Sequence, residues 1–269
     1  MVRCAIVFRL SVRIYLYCSD FREKSKKHLA WEEWIVLMSY LIDQLHSCFT
    51  PLRTLSRSDR GTVTLLRHNQ SGQWFVLRDY HGSAEPYRKL LGLSSPHLPQ
   101  VYEVAEEGGR TLELEEYIPG DTLASVLTGG HTLSPREARA VGRQLCQALH
   151  VLHSRGIVHR DLKPEHVILR SSRAVLVDLD AARLVHPAPT ADTQILGTVG
   201  YAAPEQFGLA QSDSRTDLYA LGVVLNLMLT GVHPTVRLAP GRLGRVIAKC
   251  TMTNPDQRYA SAAQLYEYL

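Results

Sequence analysis

The residues best equipped for chemistry lie in one stretch of the second half of the chain. His159-Arg160-Asp161-Leu162-Lys163-Pro164-Glu165-His166-Val167-Ile168-Leu169 puts a carboxylate, an ammonium and an imidazole close together. Further on, the apolar run Ala174–Val177 ends on Asp178-Leu179-Asp180. Gly197-Thr198-Val199-Gly200-Tyr201-Ala202-Ala203-Pro204-Glu205 and Asp217-Leu218-Tyr219-Ala220-Leu221-Gly222 follow in that order. Such groups suit a reaction that needs positioning and charge neutralisation more than covalent work. A carboxylate at a strand end is placed to hold a hard cation through oxygen. A lone aspartate there is otherwise a solvated turn residue, so the weight rests on the whole set and its order.

That ordered set resembles the protein kinases, specifically the bacterial, Hanks-type serine/threonine kinases, from about Leu52 to the C-terminus. The resemblance implies an α+β, bilobal protein-kinase-like fold with a β-rich N-lobe and a mainly helical C-lobe. It implies ATP as donor, Mg²⁺ (or Mn²⁺) as the metal, and a protein Ser/Thr hydroxyl as acceptor of the γ-phosphate. Under it, Asp161 accepts the hydroxyl proton, Lys163 holds the γ-phosphate, and Asp178 with His166 holds metal. Gly61 belongs to the phosphate loop, Val63 and Val76 cover the adenine, Ile168 forms its floor, and Arg78 meets the phosphates. Glu116 and Ile118 fall at the hinge, where backbone groups read adenine. Arg160 is the arginine that pairs with a phosphate on the activation segment, with Thr190 and Thr193 as candidate phosphosites. Thr198 is expected to hydrogen-bond Asp161 instead of carrying phosphate. Glu205 and Arg258 match a buried ion pair, and Asp217 matches the helix aspartate that braces the catalytic loop.

The chain departs from the family pattern at the nucleotide site. Arg78 stands where strand three carries lysine, and a guanidinium is not an ammonium in shape or donor geometry. Its expected helix partner is Glu85. His166 replaces the metal-binding asparagine, and imidazole suits softer metals than Mg²⁺, which points to single-metal or Mn²⁺-favoured chemistry. Ser56, Ser58 and Gly61 stand for three loop glycines, Asp178-Leu179-Asp180 for Asp-Phe-Gly, and Glu115 for the usual gatekeeper. Asp180 lacks glycine's freedom at positive φ. The stretch from Gly231-Val232-His233-Pro234 to Leu243 is short, so the helix that docks protein substrates in many kinases is cut down or missing. These departures carry the alternative reading, a pseudokinase acting as a nucleotide-binding or scaffolding module. A small-molecule phosphotransferase is disfavoured by the Gly197–Glu205 segment, and a metal protein built on His150 and His153 lacks evident further ligands.

Elements must position these residues. Leu52–Ser56, Thr62–His68 and Gln73–Asp79 read as strands, the last two joined by the turn sequence Asn69-Gln70-Ser71-Gly72. A short helix at about 84–91 follows, then strands Val101–Glu106 and Thr111–Tyr117. Ser134-Pro135-Arg136-Glu137 is a capping box that opens a helix with Ala138, Val141, Leu145, Ala148, Leu149 and Leu152 on one face, closed by Gly156. The expected division is an N-terminal extension over 1–48, an N-lobe over 49–117 and a C-lobe over 118–269. Trp31, Trp34, Ile35, Met38, Leu41, Ile42 and Leu45 keep helical spacing, so residues 31–45 are expected to form an amphipathic helix that packs on its own domain, meets a partner helix or lies on a membrane surface. Met38 is an alternative start, with 1–37 as an upstream extension.

Composition narrows the class. The 269 residues are 45% hydrophobic and 21% charged, ordinary for a globular chain. The net charge is +4, concentrated in residues 1–37, so the body offers no electrostatic case for nucleic-acid binding. Five scattered cysteines without a Cys-x-x-Cys pair argue for reduced thiols and a cytoplasmic setting. Arg9 and Arg13 interrupt the apolar stretch Val2–Cys18, so neither a signal peptide nor a clear membrane span is expected.

Overall fold

The computed structural model describes residues 42–185, 198, 200–207 and 212–269. They fall into two compact units. The first runs to Leu93 and takes in Gln100–Tyr117; the second holds Ser94–Pro99 and Ile118–Leu269. Most of the helix expected over 31–45, and the phosphosite candidates Thr190 and Thr193, lie outside the described residues; 42–48 are helical.

The first unit is a five-stranded antiparallel sheet in the order β1-β2-β3-β5-β4. Its strands are β1 (Phe49–Ser58), β2 (Gly61–His68), β3 (Trp74–His81), β4 (Val101–Glu107) and β5 (Arg110–Glu116). One face packs Leu66, Phe75, Ala105, Leu112 and Leu114 around Leu45 and Phe49. Cross-strand pairing puts the alternate residues Val63, Val76, Arg78, Glu113 and Glu115 on the other face. β1 and β2 meet in a tight hairpin with Ser58 opposite Gly61. A Cβ on Gly61 would collide with the Asp79 carbonyl oxygen, so glycine is required by the approach of β2 to β3. The helix expected over 84–91 is a single turn, α1 (Glu85–Arg88), with Pro86 in its first turn. After it the chain straightens to bridge Leu91 to Val101.

The second unit is mainly helical. β6 (Asp121–Thr122) leads into α2 (Leu123–Leu127), and α3 (Pro135–His153) follows. α3 begins with the expected capping box: the Ser134 hydroxyl accepts from the Glu137 N–H, and the Glu137 carboxylate accepts from the Ser134 N–H. β7 (Ile157–Val158) pairs with β10 (Arg183–Leu184), and β8 (Val167–Arg170) pairs with both β6 and β9 (Arg173–Leu176). α4 (Ser214–Thr230) is the central helix. Leu218, Leu221, Val224, Leu225 and Met228 are each wholly buried, as expected of a helix that is apolar on most sides. Its Gly222 admits Cys250 of α5 (Gly241–Cys250), since a Cβ there would overlap that side chain. α6 (Ala262–Tyr268) closes the unit against α3.

Residues 231–240, between α4 and α5, form neither helix nor strand, as the short sequence there implies. One buried side chain organises them. The Asn226 amide donates to the Val232 and Arg237 carbonyls at 2.8 and 2.9 Å and accepts from the Ala239 N–H at 2.9 Å. Ser94–Pro99 belongs with this unit through His97. Its ring nitrogen Nδ1 lies 2.9 Å from the Ala174 carbonyl, and its own carbonyl accepts from the Leu176 N–H at 3.0 Å.

Candidate active site

In the second unit the loop between β7 and β8 carries Asp161, Lys163 and His166. It has no regular ladder of its own, so its backbone is held from elsewhere. The buried Asp217 carboxylate, in the first turn of α4, accepts from the His159 N–H at 2.9 Å and the Arg160 N–H at 2.8 Å. Those bonds sit where Arg160 takes φ 68°, a conformation non-glycine residues adopt rarely. Gln206 adds a third tie, donating to the Arg160 carbonyl at 2.8 Å. Burial acts to raise the Asp217 carboxyl, but the His153 hydrogen bond at 2.8 Å and the Arg160 N–H outweigh it and hold the pKa below its ordinary value. His159 itself is fully buried, and burial lowers its pKa against the pull of Asp217. A neutral ring fits its contacts. Nδ1 accepts from the Asp161 N–H at 3.3 Å, and Nε2 donates to the Val177 carbonyl at 3.3 Å.

The working atoms meet on Asp161. The Lys163 ammonium donates to Asp161 Oδ2 at 2.8 Å and to the Thr198 hydroxyl at 2.9 Å. That hydroxyl donates to Asp161 Oδ1 at 2.7 Å, as expected from the sequence. Each carboxylate oxygen is thus held by one of two partners that also bond each other, which aims the side chain.

Asp178 lies two residues past the end of β9, at the end of the apolar run. It takes φ 72°, and its Oδ1 accepts from the Asp180 N–H at 3.1 Å, a local turn that aspartate supports. The left-handed residue is therefore Asp178; Asp180, where the family pattern has glycine, needs no positive φ. His166 lies between the two aspartates. Its Nδ1 is 2.8 Å from the Asp161 carbonyl, an acceptor only, so that nitrogen carries the proton. Nε2 then faces Asp178 Oδ2 at 3.3 Å. Mg²⁺ is usually held by one or two carboxylates and completes its shell with phosphate oxygens and water. Asp178 fits that pattern, and the His166 imidazole beside it adds a nitrogen donor that suits softer metals. No cluster of three or more acidic, histidine or cysteine side chains suited to a metal occurs among the described residues. His153, a sequence candidate for a metal ligand with His150, is engaged with Asp217 instead.

Ile168 lies on β8 opposite Val175, and Ile118 is buried. Glu205 and Arg258 form the expected buried pair, bidentate at 2.6 and 2.8 Å. Arg160 is nearly buried, and its backbone supports the loop.

In the first unit, the sheet brings Gly61, Val63, Val76, Arg78 and Glu116 onto neighbouring strands. Val63 lies opposite Arg78, Val76 opposite Glu115, and Phe75 opposite Glu116. The Glu116 N–H donates to the Gln100 carbonyl at 2.8 Å. The expected Arg78–Glu85 pair is not formed. Glu85 is half exposed and bonds Arg88 at 2.9 Å. Arg78 Nε instead donates to Glu115 Oε1 at 3.0 Å, with Glu113 Oε2 at 3.9 Å. Arg78 and Glu115 are both unusual in the sequence, but nothing local links them. Gln206 and His97 carry no sequence signal, and His153 reads only as a metal candidate; no local pattern marks a residue whose partner is set by tertiary packing.

Comparison with known proteins gives this geometry a family. The protein kinase domain family matches residues 60–264. The chain belongs to it. Its relatives include bacterial serine/threonine-protein kinases. With pkn2 of Myxococcus xanthus it is 34% identical over 205 residues, covering 69% of this chain and 25% of the relative. With PknD of Mycobacterium tuberculosis it is 34% identical over 268 residues, covering 85% and 40%. With PknB of Mycolicibacterium smegmatis it is 31% identical over 209 residues, covering 66% and 33%. The chain thus spans between a quarter and two fifths of the length of these relatives. Among the described residues of this kinase domain, no helix is long and apolar enough to cross a membrane.

Proposed function

We propose that the chain is an ATP-dependent serine/threonine protein kinase. The observation that carries this reading is the Asp161–Lys163–Thr198 cluster, with Asp178 and His166 beside it. The acceptor hydroxyl oxygen forms a bond to the γ-phosphorus, the bond from that phosphorus to the β–γ bridging oxygen breaks, and ADP leaves. Asp161 takes the hydroxyl proton. Lys163 neutralises charge on the transferred group. Mg²⁺ or Mn²⁺, when bound, neutralises charge on the phosphate oxygens, and Asp178 and His166 are the residues to hold it. In the β-sheet unit, Val63 and Val76 supply apolar contact to the base, Gly61 the close backbone of the loop, Arg78 the phosphate contact and Glu116 a hinge backbone contact. In the helical unit, Ile118 and Ile168 supply apolar contact.

A protein acceptor and a cytoplasmic setting belong to this proposal. The free, buried thiols of Cys146 and Cys250 suit a reducing compartment. The pseudokinase alternative rests on the sequence departures alone, and the matched relatives are named as kinases. The test is transfer of labelled γ-phosphate from ATP to an array of Ser- and Thr-containing peptides, by the parent and by Asp161→Asn. Label on peptides from the parent alone supports the reading. Label from neither protein, or equally from both, refutes it.

A further inference from the structure

We propose that Glu115 is a positioning residue for the nucleotide: it forms one functional unit with Arg78, replacing the carboxylate that a helix provides in other protein kinases. The inference rests on the kinase reading and adds a role for a residue that reading leaves unused.

Four observations carry it. First, the β3–β5 register puts Val76 opposite Glu115 and Arg78 opposite Glu113, so both carboxylates share a sheet face with Arg78. Second, the Nε–Oε1 distance is 3.0 Å, and Arg78, Glu113 and Glu115 are 5%, 0% and 4% exposed. A hydrogen bond between charged groups in so dry a place is strong and aligned. Third, the helix that ought to supply the partner is one turn long, and its Glu85 is engaged with Arg88 on the surface. Fourth, the bond uses the Nε edge of the guanidinium. An ammonium has no donor at that position of its stem; a guanidinium can serve a carboxylate from Nε while its Nη edge meets a phosphate. Arginine for lysine on strand three, and glutamate for the usual gatekeeper, therefore explain each other. The sheet itself supplies a carboxylate to the cation.

The test is a double-mutant cycle with Arg78→Lys, Glu115→Gln and both together. The readouts are the MgATP dissociation constant by calorimetry, KM for ATP and kcat, and the unfolding midpoint. Glu115→Gln is expected to weaken MgATP about tenfold and to raise KM in step, with kcat changed less than about threefold. The double variant is expected to bind no worse than Arg78→Lys alone, because the two residues act as one. Glu85→Gln is expected to bind MgATP like the parent. A merely structural role lowers the midpoint and leaves the dissociation constant of the folded protein alone. Unchanged affinity in Glu115→Gln overturns the proposal. So do losses that multiply in the double variant, an equal loss in Glu85→Gln, or a parent that does not bind MgATP. A parent that binds MgATP and transfers no phosphate refutes the kinase reading, while the binding cycle still decides the role of Glu115.

Discussion

Arg258→Met is the perturbation whose cost follows most directly from the geometry. The Arg258 side chain is 0% exposed and Glu205 is 4%. The guanidinium donates to both oxygens of Glu205 and to the carbonyls of Met252, Arg215 and Thr253, at 2.6–3.1 Å. Methionine fills most of the volume and makes none of these bonds. Glu205 then stays buried with the Thr216 hydroxyl, 2.9 Å away, as its remaining donor in this set, and three carbonyls lose a partner. Removing one member of a buried pair costs about 3–5 kcal/mol, mostly through the charge left behind. For a chain of this size that lowers the thermal midpoint by roughly 10 °C. Adding Glu205→Leu removes the stranded carboxylate, so the double variant is expected to recover at least half the loss. The assay is urea and thermal unfolding followed by far-UV circular dichroism, which reads the helices of the second unit. A single-variant cost below about 1 kcal/mol refutes the reasoning, because a stranded buried charge cannot be that cheap. A double variant less stable than Arg258→Met also refutes it.

Three further outcomes are expected. Thr198→Val removes a donor to Asp161 and an acceptor for Lys163, so kcat should fall about 10- to 100-fold with KM for ATP little changed; a kcat within twofold of the parent contradicts the aiming role. Glu103 has its carboxyl pushed up to about 7 by burial, so the folded state keeps a proton that the unfolded chain releases near pH 4.5. That contribution is fully present below the unfolded pKa and lost as pH rises to about 7, so Glu103→Gln should gain ~2–3 kcal/mol relative to the parent at pH 8 and almost nothing at pH 4.5; equal differences at both pH values contradict it. His166→Asn should shift the ratio of Mn²⁺- to Mg²⁺-supported rates towards Mg²⁺, since it trades imidazole for a carbonyl oxygen; an unchanged ratio removes His166 from the metal's surroundings.

What could be read in the sequence was what is local in the chain. Asp161 and Lys163 are two residues apart, and their contact needs only the loop that Asp217 braces. The Ser134–Glu137 capping box is a four-residue signature, and the helix it opens begins where expected. Asp178 at a strand end follows from the apolar run before it. The Thr198 bond spans a longer separation and was reachable through the family pattern. What the sequence hid depends on register and packing. Arg78 and Glu115 are 37 positions apart, and only the alignment of β3 with β5 makes them neighbours. The helix around Glu85 reads as about 84–91 and is a single turn, Glu85–Arg88. Tyr87 and Leu90 are buried, and Leu91 instead bridges to Val101. Gly61 reads as a phosphate-loop glycine, yet its missing Cβ is already required by the Asp79 carbonyl. Asn226 sits inside an apolar helix, where no pattern shows that it holds the connection to α5.

The central claim is that Asp161 serves phosphoryl transfer from ATP. Its most direct test is intact-mass spectrometry of phosphatase-treated protein incubated with ATP and Mg²⁺ or Mn²⁺, with a Ser- and Thr-containing protein mixture present, beside Asp161→Asn. Phosphate is expected on the chain or on the mixture with the parent and with no other sample. Phosphate added equally by Asp161→Asn, or by neither protein with either metal, contradicts it.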